Sequence, residues 1–442
     1  MITALSFPLL LLSAGLVGDS DWTRFRGNEG SGVFSQRTFP ETWSDEENVA
    51  WTAEVPGSGW SSPIVLGDRV FLTTAVHPGV ELGRGMSDGL RSPMTRGSGG
   101  EKPTIEVTFQ VRCHSLTDGS QLWSKDIEKL VPEYSIHPSN TYATSTPTTD
   151  GERLFVTFGA LGKVLCFDLD GKQLWSVDTG VFPTGNDFGW GISLVCLDDR
   201  VFVQNDNEES SFLAAFDTKS GEEVWRAERD KGTSWGTPVL WNTESGTQLV
   251  ALGSNSAISY EPATGKPIWT VQGFGGSFSS SPAFDSNNLY FGNSGPRRKG
   301  PLIAVPSTAK GTIDLASSEE APITWSIKKA GPGFPSPISS GRYVYVLGSP
   351  GILGCYDTES GEEVYRERLP DAATIVASPW IVGDELHIMD ESGATFVVRV
   401  GEEYELLRTN RLEGTFWSTP SIAGKSLLVR EGEKLICVRA AE

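Results

Sequence analysis

Short apolar runs recur along this chain, each stopped by Gly, Asp, Asn or Ser, and within them β-branched and aromatic residues alternate with polar ones. Such alternation suits half-buried strands. The fullest unit is Ser211-Phe-Leu-Ala-Ala-Phe-Asp217-Thr-Lys-Ser-Gly221-Glu-Glu-Val-Trp225: an apolar strand, a turn, and a second strand carrying Trp. Related units run from Val111 to Trp123, Val164 to Trp175, Ile258 to Trp269 and Ile352 to Tyr365, turning at Asp118-Gly119, Asp170-Gly171, Thr264-Gly265 and Ser360-Gly361. Each reads as a hairpin, because glycine supplies the positive φ of a tight turn.

A second hairpin precedes each of these. Its turns are expected at Gly67-Asp68, Asp150-Gly151, Asp198-Asp199, Ser245-Gly246, Ser286-Asn287, Ser340-Gly341, Gly383-Asp384 and Gly424-Lys425, which makes eight. Two hairpins per unit make a four-stranded antiparallel sheet, and units of this length at a fixed period are the mark of a propeller. The outer-strand residue recurs at Trp123, Trp175, Trp225, Trp269, Trp325, Tyr365 and Leu407, but the last unit ends after its third strand. The segment Asn48-Val49-Ala50-Trp51 is the natural donor of the missing strand. The expected fold is therefore all-β: an eight-bladed propeller of four-stranded antiparallel blades, spanning residues 19–442 as one domain and closed by an N-terminal strand in the last blade. Pairing the two ends also removes open sheet edges.

Composition narrows the setting. The net charge of −20 disfavours nucleic acid, whose phosphates the protein's field would repel. Residues 1–18 are apolar from Ala4 to Val17 and end in small residues before Asp19-Ser20-Asp21, as in a secretory signal peptide. No later stretch is long enough to span a membrane, so an exported, periplasmic or extracellular monomer without a transmembrane segment is expected. The cysteines at 113, 166, 196, 355 and 437 form no Cys-x-x-Cys pair, and four of them occupy one place in four repeats, as small buried apolar residues do.

The segment Ala215-Phe-Asp-Thr-Lys-Ser-Gly-Glu-Glu-Val-Trp225 resembles the pyrroloquinoline-quinone (PQQ) repeat family, and the likeness covers roughly residues 21–442. Asp21-Trp22, Gly27-Asn28 and Asn48-Val49-Ala50-Trp51 are similar to a loose form of the N-terminal signature of quinoprotein alcohol dehydrogenases. The family also includes non-catalytic scaffolds such as the lipoprotein of the outer-membrane barrel-assembly machine, and the resemblance leans toward that branch. It implies PQQ and calcium only where the dehydrogenase site is present. Those enzymes carry a vicinal disulfide and a Glu, Asn and Asp calcium set, which no motif places on this chain, so no cofactor and no metal are expected.

Candidate binding residues come from a different recurrence. An aromatic stands just before most innermost strands: Trp60, Tyr142, Trp190, Trp235, Phe278, Phe334 and Trp417, most followed by Ser/Thr-Pro. They are expected to ring one channel mouth and to offer rigid apolar area to a ligand. His137 and Asn140 lie on the connection into the second blade and join this set. With four histidines in the chain, His137 is the best candidate general acid or base, yet no nucleophile or carboxylate accompanies it in sequence. Loops on the same face include a Gly/Ser-rich stretch between His77 and Lys102 with Arg84, Arg91 and Arg96, and the basic spot Arg297-Arg298-Lys299. No zinc, P-loop, G-x-S-x-G or G-x-G-x-x-G pattern is present. These residues point to a binding or scaffold propeller for a protein, peptide or glycan rather than an enzyme; the alternative is a divergent PQQ- and calcium-dependent quinoprotein dehydrogenase acting on an alcohol or sugar.

Overall fold

A computed structural model describes residues 17–18, 20–35, 37–77, 103–276, 278–295, 298–317, 321–348 and 351–440. The expected signal segment up to residue 16 and the stretch 78–102 lie outside the described residues. The chain folds into eight antiparallel blades, seven of them with their four strands in sequence order from the channel outward. The first blade comprises Ile64–Leu66, Arg69–Val76, Val107–Ser115 and Gln121–Leu130, and the third comprises Val195–Leu197, Arg200–Asn205, Phe212–Asp217 and Glu223–Glu228. The expected turns are present, with three displaced by one residue. Thr149 pairs with Leu154, Thr243 with Gly246 and Ser340 with Tyr343, so the chain reverses at Gly151-Glu152, Glu244-Ser245 and Gly341-Arg342.

The ring closes as the sequence requires. Val49–Glu54 pairs antiparallel with Lys434–Val438, setting Trp51 opposite Cys437 as the outer strand of the eighth blade. Two further strands were not legible in the repeat. Gly311–Asp314 runs parallel along the outer edge of the fourth blade, and Val33–Phe34 runs parallel along the inner edge of the seventh.

Neighbouring blades are joined by a repeated contact between the outer-strand tryptophan of one and the turn glycine of the next. Trp51 lies over Gly119, Trp123 over Gly171, Trp175 over Gly221, Trp225 over Gly265 and Trp325 over Gly361. All five glycines have φ between 69° and 82°, and a Cβ on any of them would come within 3 Å of an indole carbon. Glycine is thus needed twice, for the turn and for the close approach. Each indole also donates Nε1–H to a carbonyl of that same turn, at Leu116, Leu169, Thr218, Pro262 and Thr358, over 2.9–3.0 Å. A β-bulge at the tryptophan turns it toward its neighbour, and the residue before it, as at Leu122, Leu174 and Val224, is left exposed. Trp269 departs from the rule: the fifth blade replaces the short turn with the segment bearing Gly311–Asp314, and Trp269 donates instead to Gln248 Oε1 in its own blade.

Candidate functional site

The Ser and Thr residues that precede the innermost strands form a collar around the channel. The amide of Ser62 donates to Thr146 Oγ1 in the next blade, Thr146 to Ser193, Ser193 to Thr237, Thr237 to Ser281, Ser281 to Ser336, Ser336 to Ser378 and Ser378 to Thr419, all over 2.9–3.1 Å. Seven blade boundaries are bridged in this way. At the eighth, where the ring closes, the bridges are Ser418 Oγ to the Ser61 carbonyl at 3.2 Å and Ser421 Oγ to the Pro63 carbonyl. Arg430 spans that seam, donating Nη1–H to Ser61 O, Ser61 Oγ and Thr73 O. It is fully buried, and burial lowers its pKa to about 9.

The channel end at which the first two strands of each blade turn is filled by the chain's own N-terminal segment, residues 20–35. Ser20 O accepts from Gly424 of the eighth blade, Trp22 pairs with Val65 of the first, and Thr23 O accepts from Thr149 of the second. Arg24, Phe25, Arg26, Glu29 and Gly30 share a narrow crevice of about 10 Å³ with Val195 of the third blade and Val239 of the fourth. Arg26 donates to Pro282 O and Pro337 O of the fifth and sixth, while Val33–Phe34 pairs with the seventh. One segment therefore meets all eight blades at or beside their innermost strands. Trp22, 1 % exposed, stacks on Phe34 with ring centres 4.8 Å apart, and Gly27 at φ 85° leaves the gap that Phe34 fills. Burial without a carboxylate partner lowers the Arg26 pKa to about 10.

At the opposite end, the loop face, the candidate residues form an arc. Trp60 and Trp417 stack across the closing seam, centroids 5.7 Å apart, and Trp60 donates its indole proton to Ser139 O. His137 Nδ1 lies 2.6 Å from Ser139 Oγ, and the imidazole tilts against Phe188, which meets Trp235 edge to face. Burial lowers the His137 pKa. Asn140 donates to the Phe188 and Trp190 carbonyls, Trp235 to Gly189 O, and the Tyr142 hydroxyl to Tyr134 O. Burial raises the Tyr142 pKa to about 12. Phe188, which the repeat pattern did not single out, thus links the second-blade loop to Trp235. Two expected members stand apart. Phe278 is fully buried against Phe274 and Phe291 and offers a ligand no surface, because the fifth-blade loop folds over it. Phe334 is 37 % exposed. Of the basic spot, Arg297 lies outside the described residues and Lys299 is exposed.

Among the described residues no group of three His, Cys, Asp or Glu side chains converges, all five cysteines are free and buried, and the arc is aromatic and hydroxylic.

Eight four-stranded blades, five of whose boundaries are docked by a tryptophan on a turn glycine, a closing strand from the other terminus and one filled mouth define a closed-ring repeat propeller. Its repeats are of the PQQ-like propeller type. Residues 108–319 match the family model described as outer membrane protein assembly factor BamB. The chain is similar in structure to BamB from Moraxella catarrhalis (TM-score 0.55, 11% identity, covering 87% of this chain and 97% of that one). It is also similar to a europium-containing methanol dehydrogenase (0.60, 12%, 94% and 90%) and to a quinohemoprotein alcohol dehydrogenase from Comamonas testosteroni (0.58, 10%, 97% and 82%). At such identities the likeness is one of fold, which scaffolds and enzymes share. No curated protein matches the sequence. Among the described residues no helix is long and apolar enough to cross a membrane.

Proposed function

We propose that this chain is an extracytoplasmic binding or scaffold propeller that receives a protein, peptide or glycan on its loop face and acts as a monomer. The observation that carries the reading is the asymmetry of the two mouths. Residues 20–35 occupy one, while the other carries the arc of Trp60, His137, Asn140, Tyr142, Trp190, Trp235 and Trp417, with Trp190, Trp235, Trp417 and His137 partly exposed. Rigid aromatic surface beside polar groups is suited to recognition. The match to an assembly-factor family supports a scaffold and an extracytoplasmic setting.

The test is a peptide array and a glycan array probed with the intact protein and with a Trp190→Ala/Trp235→Ala variant. Binding that the variant loses at an unchanged unfolding midpoint supports the reading. An intact protein that binds nothing on either array, or that retains PQQ with Ca²⁺ and reduces a dye with alcohols or aldoses, overturns it.

A further inference from the structure

Between the second and third blades the loop face opens into a crevice of about 40 Å³, walled on one side by Trp190 and closed below by Gln204 and Asp206. The space exists because Gly159 lies against the indole: a Cβ there would come within 2.1 Å of Trp190 Cγ. Its floor is rigid. Arg229 grips Asp206 through Nε and Nη2 at 2.8 and 3.2 Å and donates Nη1–H to the Tyr260 hydroxyl at 2.9 Å, with both charged side chains almost wholly buried. The Asp206 charge is thereby matched.

Gln204 is not matched. It is 5 % exposed, and its Nε2 donates to Asp206 Oδ2 and to Leu252 O, each at 2.7 Å. Turning the amide over would set its oxygen against those two acceptors, so the orientation is dictated by its neighbours. Oε1 is left buried with no hydrogen-bond partner. Leaving such an acceptor dry is unfavourable, and a donor entering the crevice would relieve it.

Three of the other polar groups around the crevice, which also include Ser145, Thr179, Thr184 and Asn205, have their donor protons committed elsewhere. Thr157 commits its hydroxyl proton to Lys163 O, Thr233 to Glu208 Oε1 and Ser234 to Leu252 O. What they keep is lone pairs. Glu208, held at the rim by the Thr233 amide and hydroxyl, adds an exposed carboxylate to a protein of net charge −20. The geometry points to a ligand group that is small, donates several hydrogen bonds and is positively charged: the ammonium or guanidinium head of a lysine or arginine side chain on a protein or peptide partner, with Trp190 as a cation–π wall. A sugar ring is larger than the enclosed space and arrives with as many acceptors as donors. This assignment rests on reading the loop face as a binding surface and names what that face recognises.

The probes are the acetylated, amidated tripeptides Gly-Lys-Gly, Gly-Arg-Gly and Gly-norleucine-Gly, together with maltotriose, titrated against the intact protein while the Trp190 indole resonance is followed, with Trp190→Phe used to assign it. The lysine or arginine probe is expected to shift that resonance and to bind at least about tenfold more tightly than norleucine, the worth of one charge-assisted contact. Its affinity should fall as salt screens the rim carboxylate. Gln204→Met should weaken the cationic probes by about tenfold and leave norleucine unchanged. Should that variant fail to fold, the lysine and norleucine comparison on the unaltered protein decides alone. Equal binding of lysine and norleucine, or a Trp190 shift with maltotriose only, overturns the cationic assignment while leaving the binding face. Array partners whose binding ignores their basic residues do the same. Failure of every probe together with empty arrays overturns both readings.

Discussion

The contact most specific to this ring is Trp51 on Gly119, because it joins the chain's first blade strand to a turn of the first blade and so closes the circle. Adding one methyl at Gly119 meets two separate penalties. The residue has φ 75°, where alanine costs roughly 1–2 kcal/mol. The new Cβ would also lie 2.5 Å from Trp51 Cε3 and 2.8 Å from Cδ2. Overpacking of that kind costs roughly 1–3 kcal/mol, so Gly119→Ala should destabilise by roughly 2–5 kcal/mol in all. Trp51→Ala removes a half-buried ring and its hydrogen bond to Leu116 O, a loss of roughly 2–4 kcal/mol. In that background the clash is gone and Gly119→Ala should cost only the backbone term. A double-mutant cycle read from urea midpoints at constant m-value should therefore return a coupling of roughly 1–3 kcal/mol. The same is expected for Gly171 with Trp123, whose ring a Cβ would meet at 2.9 Å, whereas Trp51 with Gly171 should be additive. An additive Trp51 and Gly119 pair would refute this account of how the blades dock.

Other substitutions probe the collar, the plug and a buried imidazole. Thr237→Val removes the acceptor of the buried Ser193 amide and should lower stability by about 1–3 kcal/mol in chemical unfolding, while Thr237→Ser should be near neutral. Arg430→Met should leave the unfolding midpoint unchanged or raised, since Ser61 O keeps Ser418 Oγ and Thr73 O keeps Ser61 Oγ as donors when the unpaired buried cation is removed. Trp22→Ala should cost about 3–5 kcal/mol, because a ring 1 % exposed at the centre of the plug leaves a cavity between Val65 and Phe34. His387, stacked on Trp380 with ring centres 5.3 Å apart, has its pKa lowered to about 4 by burial, against the pull of Glu385. The unfolded chain takes up that proton near pH 6.5 and the folded chain only near 4, so this contribution is intact above pH 6.5. About 3 kcal/mol should be lost as pH falls between those values. His387→Phe should flatten that part of the stability profile.

Much of the architecture could be read from the chain because its signals are local. A Gly at most hairpins, alternation on either side and a tryptophan on most outer strands specify a four-stranded unit whatever surrounds it, and the shortage of one outer strand at Val438 against the surplus at Val49 demands closure. Those same local signals placed Trp60, Trp190, Trp235 and Trp417 on one face, since all stand at the same point of the repeat. What they could not convey is how each ring is covered. Phe278 occupies an equivalent position, yet contacts with Phe274 and Phe291 bury it, and those depend on the loop's path rather than on its period. The Ser/Thr-Pro recurrence was visible in sequence, but its part as an interblade collar needed the ring to bring Ser62 to Thr146 and Ser378 to Thr419.

The sealed mouth and the Gln204 crevice belong wholly to tertiary structure. Residues 20–35 carry no repeat signal, because a single segment that meets eight different blades through different residues has no periodicity to display. Gln204 stands in an ordinary strand position; only the approach of Asp206 and Leu252 O, the latter from the next blade, determines which way its amide faces and leaves its oxygen alone. Repetition within the chain decided the blades and their number. Closure of the ring decided what lies between them, because contacts made only once, and between residues far apart in sequence, leave no pattern to read.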